Sequence, residues 1–151
     1  MSVEFRILPS RNLVLAQFFG HILLADCLAS AKSYAKHPLA DLRQNQLIDL
    51  SAVTSYERDF VKIMAAMAQL PDHIPQRGGE PMIVYYAPSR VAQEMASLVL
   101  NALSGMPGLA FSAVADEDHA MEILGQPERS LDALILNQNH LYTRAKYINQ
   151  Y

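Results

Sequence analysis

A chain of 151 residues, 51% of them apolar and 18% charged, is large enough to bury one core and too apolar to be disordered. Its formal net charge of −3 provides no global positive field, which argues against nucleic acid as a partner. The single cysteine, Cys27, excludes an internal disulfide and a cysteine-rich zinc site.

The sequence also lacks the marks of export and of membrane insertion. The N-terminus has no basic-then-apolar layout of a secretory signal. No window approaches the roughly eighteen uninterrupted apolar residues that a spanning helix needs. We therefore expect a cytoplasmic protein without a membrane span.

Alternating apolar and polar residues predict an opening β-hairpin. Val3–Leu8 has the period of a half-buried strand, Pro9–Asn12 forms a turn, and Leu13–Phe19 is a second strand that Gly20 ends. Apolar residues at three- and four-residue spacing then predict an amphipathic helix over Leu24–Ala35.

A third strand, Gln46–Leu50, is predicted to lead through a tight turn into a capped helix. Thr54 and Glu57 have the spacing of a capping box, in which a hydroxyl and a carboxylate bond the free amides of a helix start. The buried stripe of this helix would consist of Phe60, Ile63, Met64, Met67 and Leu70.

Two more strand–helix pairs complete the predicted sheet. Met82–Tyr86 and Leu109–Val114 are the fourth and fifth strands, and Ser89 and Asp116 stand where helix N-caps are expected. The last helix would end at Gly125. The order predicts the α/β class: a single-domain mixed sheet of about five strands, an N-terminal hairpin followed by parallel strands, with about four helices.

The domain boundary is predicted just after the last of these helices. We assign residues 1–126 to the α/β domain and residues 127–151 to a C-terminal helical or extended tail. Residues 131–136 could add a turn or two of helix. Tyr142, Tyr147 and Tyr151 could dock on a neighbouring subunit or belong to a frayed terminus.

Three local motifs resemble the STAS domain, especially its divergent, SpoIIAA-like branch of anti-sigma-factor antagonists. They are Phe19-Gly20-His21-Ile22, the strand Leu47-Ile48-Asp49-Leu50-Ser51-Ala52-Val53, and the acidic, alanine-bearing segment from Phe111 to Leu124. Their order along the chain matches that of the family over residues 3–125. The resemblance implies a STAS-like fold and a role in protein–protein contacts.

The resemblance does not extend to the phosphorylation switch of the antagonists. Those proteins carry Asp-Ser-Ser-Gly at the helix start that follows the third strand, and the second serine is phosphorylated to control partner binding. Counting from Asp49, this chain has Glu57, Arg58, Asp59 and Phe60 at those positions. No serine occupies the switch position, and the Asp59 carboxylate carries less charge and fewer acceptor oxygens than a phosphate.

We interpret the chain as a non-enzymatic, cytoplasmic regulatory module that binds a protein partner of unknown pathway, with homodimer formation left open. The candidate interaction corner consists of Ser51, Thr54, Ser55, Tyr56, Glu57, Arg58 and Asp59. Two of its hydroxyls, on Thr54 and Ser55, would also suit a phosphate at a helix N-terminus, although a plain cap is the commoner role.

Two other functions stay open at this point. A carrier of a lipid-like ligand, layered like the SEC14 group, would need an unfilled apolar cavity of roughly 300 Å³ or more. A hydrolase would use Ser89 as its nucleophile with a histidine within hydrogen-bond reach. No G-x-S-x-G elbow surrounds Ser89, and a helix cap explains a serine there.

No pattern in the sequence predicts a metal or a cofactor. The five histidines, His21, His37, His73, His119 and His140, have no ligand spacing. The acidic run Asp116-Glu117-Asp118 suits the positive end of a helix dipole.

Overall fold

The computed structural model describes residues 2–41, 43–59, 61–63, 65, 81–103 and 110–137, with Leu103 described by its backbone alone. Its strands are β1 (Val3–Leu8), β2 (Leu13–Ile22), β3 (Asn45–Tyr56), β4 (Met82–Tyr86) and β5 (Ala110–Val114). They form one sheet in chain order, with β1 antiparallel to β2 and the other neighbours parallel. The predicted α/β class, with a hairpin followed by parallel strands, is confirmed.

The helices of the described residues are α1 (Leu24–Lys36), α2 (Arg90–Leu103), α3 (Glu117–Ile123) and α4 (131–137). Residues 61–63 and 65 are also helical, and Pro9–Arg11 forms a 3₁₀ turn inside the hairpin. None of the helices in the described ranges is long and apolar enough to cross a membrane.

The two faces of the sheet are covered by different parts of the chain. Adjacent residues of a strand point to opposite faces, so Leu47 and Ile48 belong to separate buried clusters. The Ile48 cluster packs against α1 and α2 and includes Ile22, Leu50, Val53, Tyr56, Ile83, Ala92 and Ala96. The Leu47 cluster packs against α3 and α4 and includes Leu13, Leu15, Val84, Ala120, Met121, Leu131 and Leu134.

The strand β2 does not end at Gly20, as predicted, but continues to Ile22. Its pairing with β3 shifts register between Gln17 and Phe19 and again between Gly20 and His21. Gly20 has a φ of +65°, a conformation that costs glycine little and suits a bulge. The bulges break the two-residue period, which is why the apolar pattern does not reveal the full length of the strand.

The strand β3 is also longer than predicted, because it runs to Tyr56 instead of ending at Leu50. Its pairing with β4 stops at Asp49 opposite Tyr86, whereas its pairing with β2 continues to Tyr56. Residues 50–56 therefore extend past β4 as a two-stranded ribbon with the end of β2.

The buried carboxylate of Asp49 stabilises the chain at the point where the β4 pairing stops. It accepts hydrogen bonds from the Ser51 amide (2.9 Å) and from the side-chain amide of Gln17 (3.3 Å). A buried charge needs such partners, and the Ser51 amide, which lies beyond the last β3–β4 pair, obtains one.

Residues that follow α3 are attached to the Leu47 cluster. The Arg11 guanidinium donates to both carboxylate oxygens of Glu128 at 2.6 Å, and the Asn137 amide donates to Glu128 at 2.9 Å. Leu131 and Leu134 of α4 are buried against the sheet. The first part of the predicted 127–151 tail thus packs on the domain, and residues 138–151 lie outside the described ranges.

Candidate interaction site

The corner, defined above as seven residues from Ser51 to Asp59, lies on the last part of β3 and on the connection after it. The predicted capping box of Thr54 and Glu57 is wrong, because Val53 and Tyr56 are buried and keep this stretch extended. The helical residues begin after Asp59, whose carboxylate accepts the Val61 amide at 3.1 Å. Asp59 is therefore the cap. Most of the predicted stripe of this helix, apart from Ile63, lies outside the described residues.

Glu57 connects the end of the ribbon to the start of α1. Its carboxylate accepts the amide of Leu24 at 3.0 Å and the Lys62 ammonium at 3.2 Å. The Leu24 amide, followed by Lys62, lowers the pKa of Glu57 below its ordinary value. The helix α1 has no side-chain cap from its own N-cap residue, Leu23, so Glu57 supplies one from a distant part of the sequence.

Ser55 lies directly opposite His21 on the ribbon. The Oγ atom of Ser55 is 2.6 Å from Nδ1 of His21. A nucleophilic serine would need a third, hydrogen-bonded carboxylate to orient the imidazole, and no described residue supplies one. The contact is a cross-strand pair that stabilises the ribbon.

The other serine and threonine of the corner face solvent. Ser51 and Thr54 are exposed, and in the described structure their side chains make no hydrogen bonds. Three of the six large apolar side chains exposed among the described residues are next to the corner: Phe19, Leu23 and Val61. Phe19 is paired with Ala52, Leu23 precedes the residue that Glu57 caps, and the amide of Val61 is bound by Asp59.

An open cleft of about 540 Å³ adjoins the corner, between the end of β3 and helix α2. Its lining consists of Tyr56, Arg58 and Ile63 on one side and Arg90, Gln93, Glu94, Ser97, Leu98 and Asn101 on the other. The α2 residues recur at three- and four-residue spacing and so form one stripe of the helix. The sequence analysis did not identify this stripe, because polar residues on a helix are usually a solvated face and give no signal of a cleft.

Arg58 belongs to both the corner and the cleft. Its guanidinium lies 4.7 Å above the centre of the Tyr56 ring, and it donates to Glu94 at 3.1 Å. The cation–π contact and the ion pair hold a flexible side chain in one direction, although the guanidinium stays largely exposed.

Ser89 does not form part of a hydrolytic site in the described structure. Its hydroxyl accepts the Ala92 amide at 3.2 Å, which makes it the N-cap of α2, as predicted. His21, His37 and His119 make no hydrogen bond to it, while His73 and His140 lie outside the described residues. Burial raises the pKa of the Cys27 thiol to about 11, so this thiol stays protonated.

The described geometry favours neither a metal site nor a lipid pocket. No group of three metal-ligating side chains occurs among the described residues. The cleft is open to solvent and is not an enclosed cavity. A lipid-like ligand needs a mainly apolar, enclosed cavity.

No family model matches the chain, and no curated protein matches it either. The corner and the cleft beside it are therefore the features from which a function is inferred.

Proposed function

We propose that this protein is a non-enzymatic, cytoplasmic regulatory module that acts by binding another protein through the corner. The observation that carries this proposal is the set of exposed apolar side chains, Phe19, Leu23 and Val61, around hydroxyls without internal partners. Protein interfaces combine such apolar anchors with polar groups that bond across the contact. The STAS-like motifs support the same role.

The corner is also suited to binding because it is held in place before a partner arrives. Glu57 fixes it to α1, Asp59 caps the helical residues that follow, and Arg58 connects it to α2. A surface that is ordered in the free protein loses less entropy when it binds.

A substitution that tests the corner must block partner binding without lowering the stability of the fold. Thr54→Arg places a bulky cation in the middle of the corner without removing a hydrogen bond, because the Thr54 side chain makes none. Asp59→Lys is a poorer choice, since it also removes a helix cap. Asp132→Arg, on the exposed side of α4 across the sheet, is the control; it adds two positive charges where Thr54→Arg adds one, so it is the more stringent test of a general charge effect.

The test is native mass spectrometry of the tagged protein purified from the cytoplasm of its own host. We expect a protein partner in fixed stoichiometry with the wild type and with Asp132→Arg, and its loss with Thr54→Arg. Retention of the partner by Thr54→Arg would exclude the corner. A bound small molecule in place of a protein would favour the carrier function, and a bare homodimer would make the partner a second copy.

A further inference from the structure

Resting on the proposed protein-binding function, the cleft beside the corner indicates what kind of partner segment is bound. The charged groups that line it among the described residues are two guanidiniums, of Arg58 and Arg90, and one carboxylate, of Glu94. Together they carry one net positive charge, although the whole chain carries −3. The positive charge lies on the α2 side of the surface, whereas the carboxylates of the corner, Glu57 and Asp59, are engaged with Lys62 and with the helical residues after Asp59.

The single carboxylate cannot satisfy both guanidiniums. Glu94 lies 3.1 Å from Arg58 but 3.9 Å from Arg90, and the Arg90 side chain is 95% exposed. A guanidinium has five N–H donors in a planar fork that suits a second carboxylate. Arg90 is therefore able to pair with an incoming acid without giving up a strong internal contact.

The rest of the cleft suits a peptide better than a small anion. The stripe of α2 from Arg90 to Asn101 spans about 16 Å at the rise of an α-helix, which is the length of roughly five extended residues. Gln93 and Ser97 offer hydrogen-bonding groups along it, and Leu98 adds an exposed apolar contact. A free carboxylate would occupy only the end of the stripe that holds the two guanidiniums.

We propose that this cleft binds an extended acidic segment of the partner protein. One carboxylate of the segment pairs with Arg90, and with Arg58 where both can reach it. An apolar side chain of the segment lies against Leu98. The corner and the cleft then form one continuous surface, joined by Arg58.

The test uses the full chain, labelled with ¹⁵N, and a capped hexapeptide of alternating glutamate and leucine. We expect amide shifts along α2 between Gln93 and Asn101 and at Arg58. A hexapeptide of alternating lysine and leucine should bind at least roughly tenfold more weakly, because it meets like charge. Free glutarate serves as the small-anion probe.

Charge reversal at one exposed arginine is compared with the same change on the other face. Arg90→Glu should raise the Kd for the acidic peptide roughly tenfold, whereas Arg129→Glu, which changes the net charge equally, should raise it less than about twofold. A glutamate at the first residue of α2 suits the helix dipole, so the fold is retained. Arg90→Gln, which removes the charge without reversing it, should give an intermediate Kd.

Several results would overturn the inference. They are an absence of shifts along α2, equal binding of the lysine peptide, an equal effect of Arg129→Glu, and glutarate binding as tight as that of the peptide. In the host purification, a partner retained by Arg90→Glu but lost by Thr54→Arg would leave the proposed function intact and remove the cleft from it. A wild type without any partner would instead contradict the proposed function, while the peptide titration still decides the cleft.

Discussion

Among single residues, Glu128 shows how the chain keeps a charge inside the fold. Its carboxylate accepts two hydrogen bonds from Arg11 and one from Asn137, and only 5% of its side chain is exposed. The Arg11 bonds lower the pKa of Glu128 from 4.5 to about 2. A carboxylate with a depressed pKa stabilises the folded state above its unfolded pKa and loses that contribution as the pH falls through the folded value.

The depressed pKa of Glu128 gives the first prediction, a loss of stability that depends on pH. At pH 7, Glu128→Gln should lower the free energy of unfolding by about 2 kcal/mol, because a hydrogen-bonded charge is lost. The difference from wild type should shrink below about pH 4.5 and approach zero near pH 2. Urea unfolding across this range measures it, with the exposed Glu122→Gln as a control that changes little. A difference that stays constant with pH would contradict the prediction.

At the scale of elements, α1 depends on a residue that is not its neighbour in sequence. Glu57→Ala removes the acceptor of the Leu24 amide and should weaken the first turn of α1. The loss of stability should be confined to the start of α1. Exchange of the backbone amide hydrogen of Leu24 with solvent should therefore speed up, while amide exchange in α2 is unchanged. Glu122→Ala, on the exposed side of α3, is the control. Equal exchange at Leu24 in both variants would show that Glu57 does not cap α1.

The elements with a regular pattern could be predicted from the sequence, and those with a bulge or a distant cap could not. Val3–Leu8 and Met82–Tyr86 are observed with the predicted limits, because their apolar residues keep one period. The bulges of β2 shift the period, and the strand continues through a glycine that looks like an end. Thr54 and Glu57 mimic a capping box, but burial of Val53 and Tyr56 outweighs that local preference.

The corner stays a predicted site, and only the contacts of its residues are described by the structure. Those contacts could not be predicted, because they join parts of the chain that are distant in sequence, such as Glu57 and Leu24. The buried face of α2 consists of Ala92 and Ala96, with Val91 and Met95 packed beside them. The polar stripe that lines the cleft has the composition of any solvated helix face, so the sequence alone does not distinguish it.

At the scale of the whole molecule, the sheet is stable only when both of its faces are covered. Leu134 of α4 has no exposed surface, whereas Leu136, two residues later, is 68% exposed. Leu134→Ala should lower the free energy of unfolding by about 3 kcal/mol, and Leu136→Ala by less than about 0.5 kcal/mol. Thermal or urea unfolding of the two variants distinguishes them. Equal stability would mean that α4 is not part of the cooperative unit.

Because different helices cover the two faces of the sheet, the faces are covered at different times during translation. Both helices of the α1–α2 face have left the ribosome before β5 is made, but the opposite face waits for α3 and α4, the last of the described helices. Until then, Leu13, Leu15 and Leu47 form part of an apolar surface on a sheet with one covered side. Such a nascent chain is a client for chaperones, and a translation product that stops before α4 is expected to aggregate.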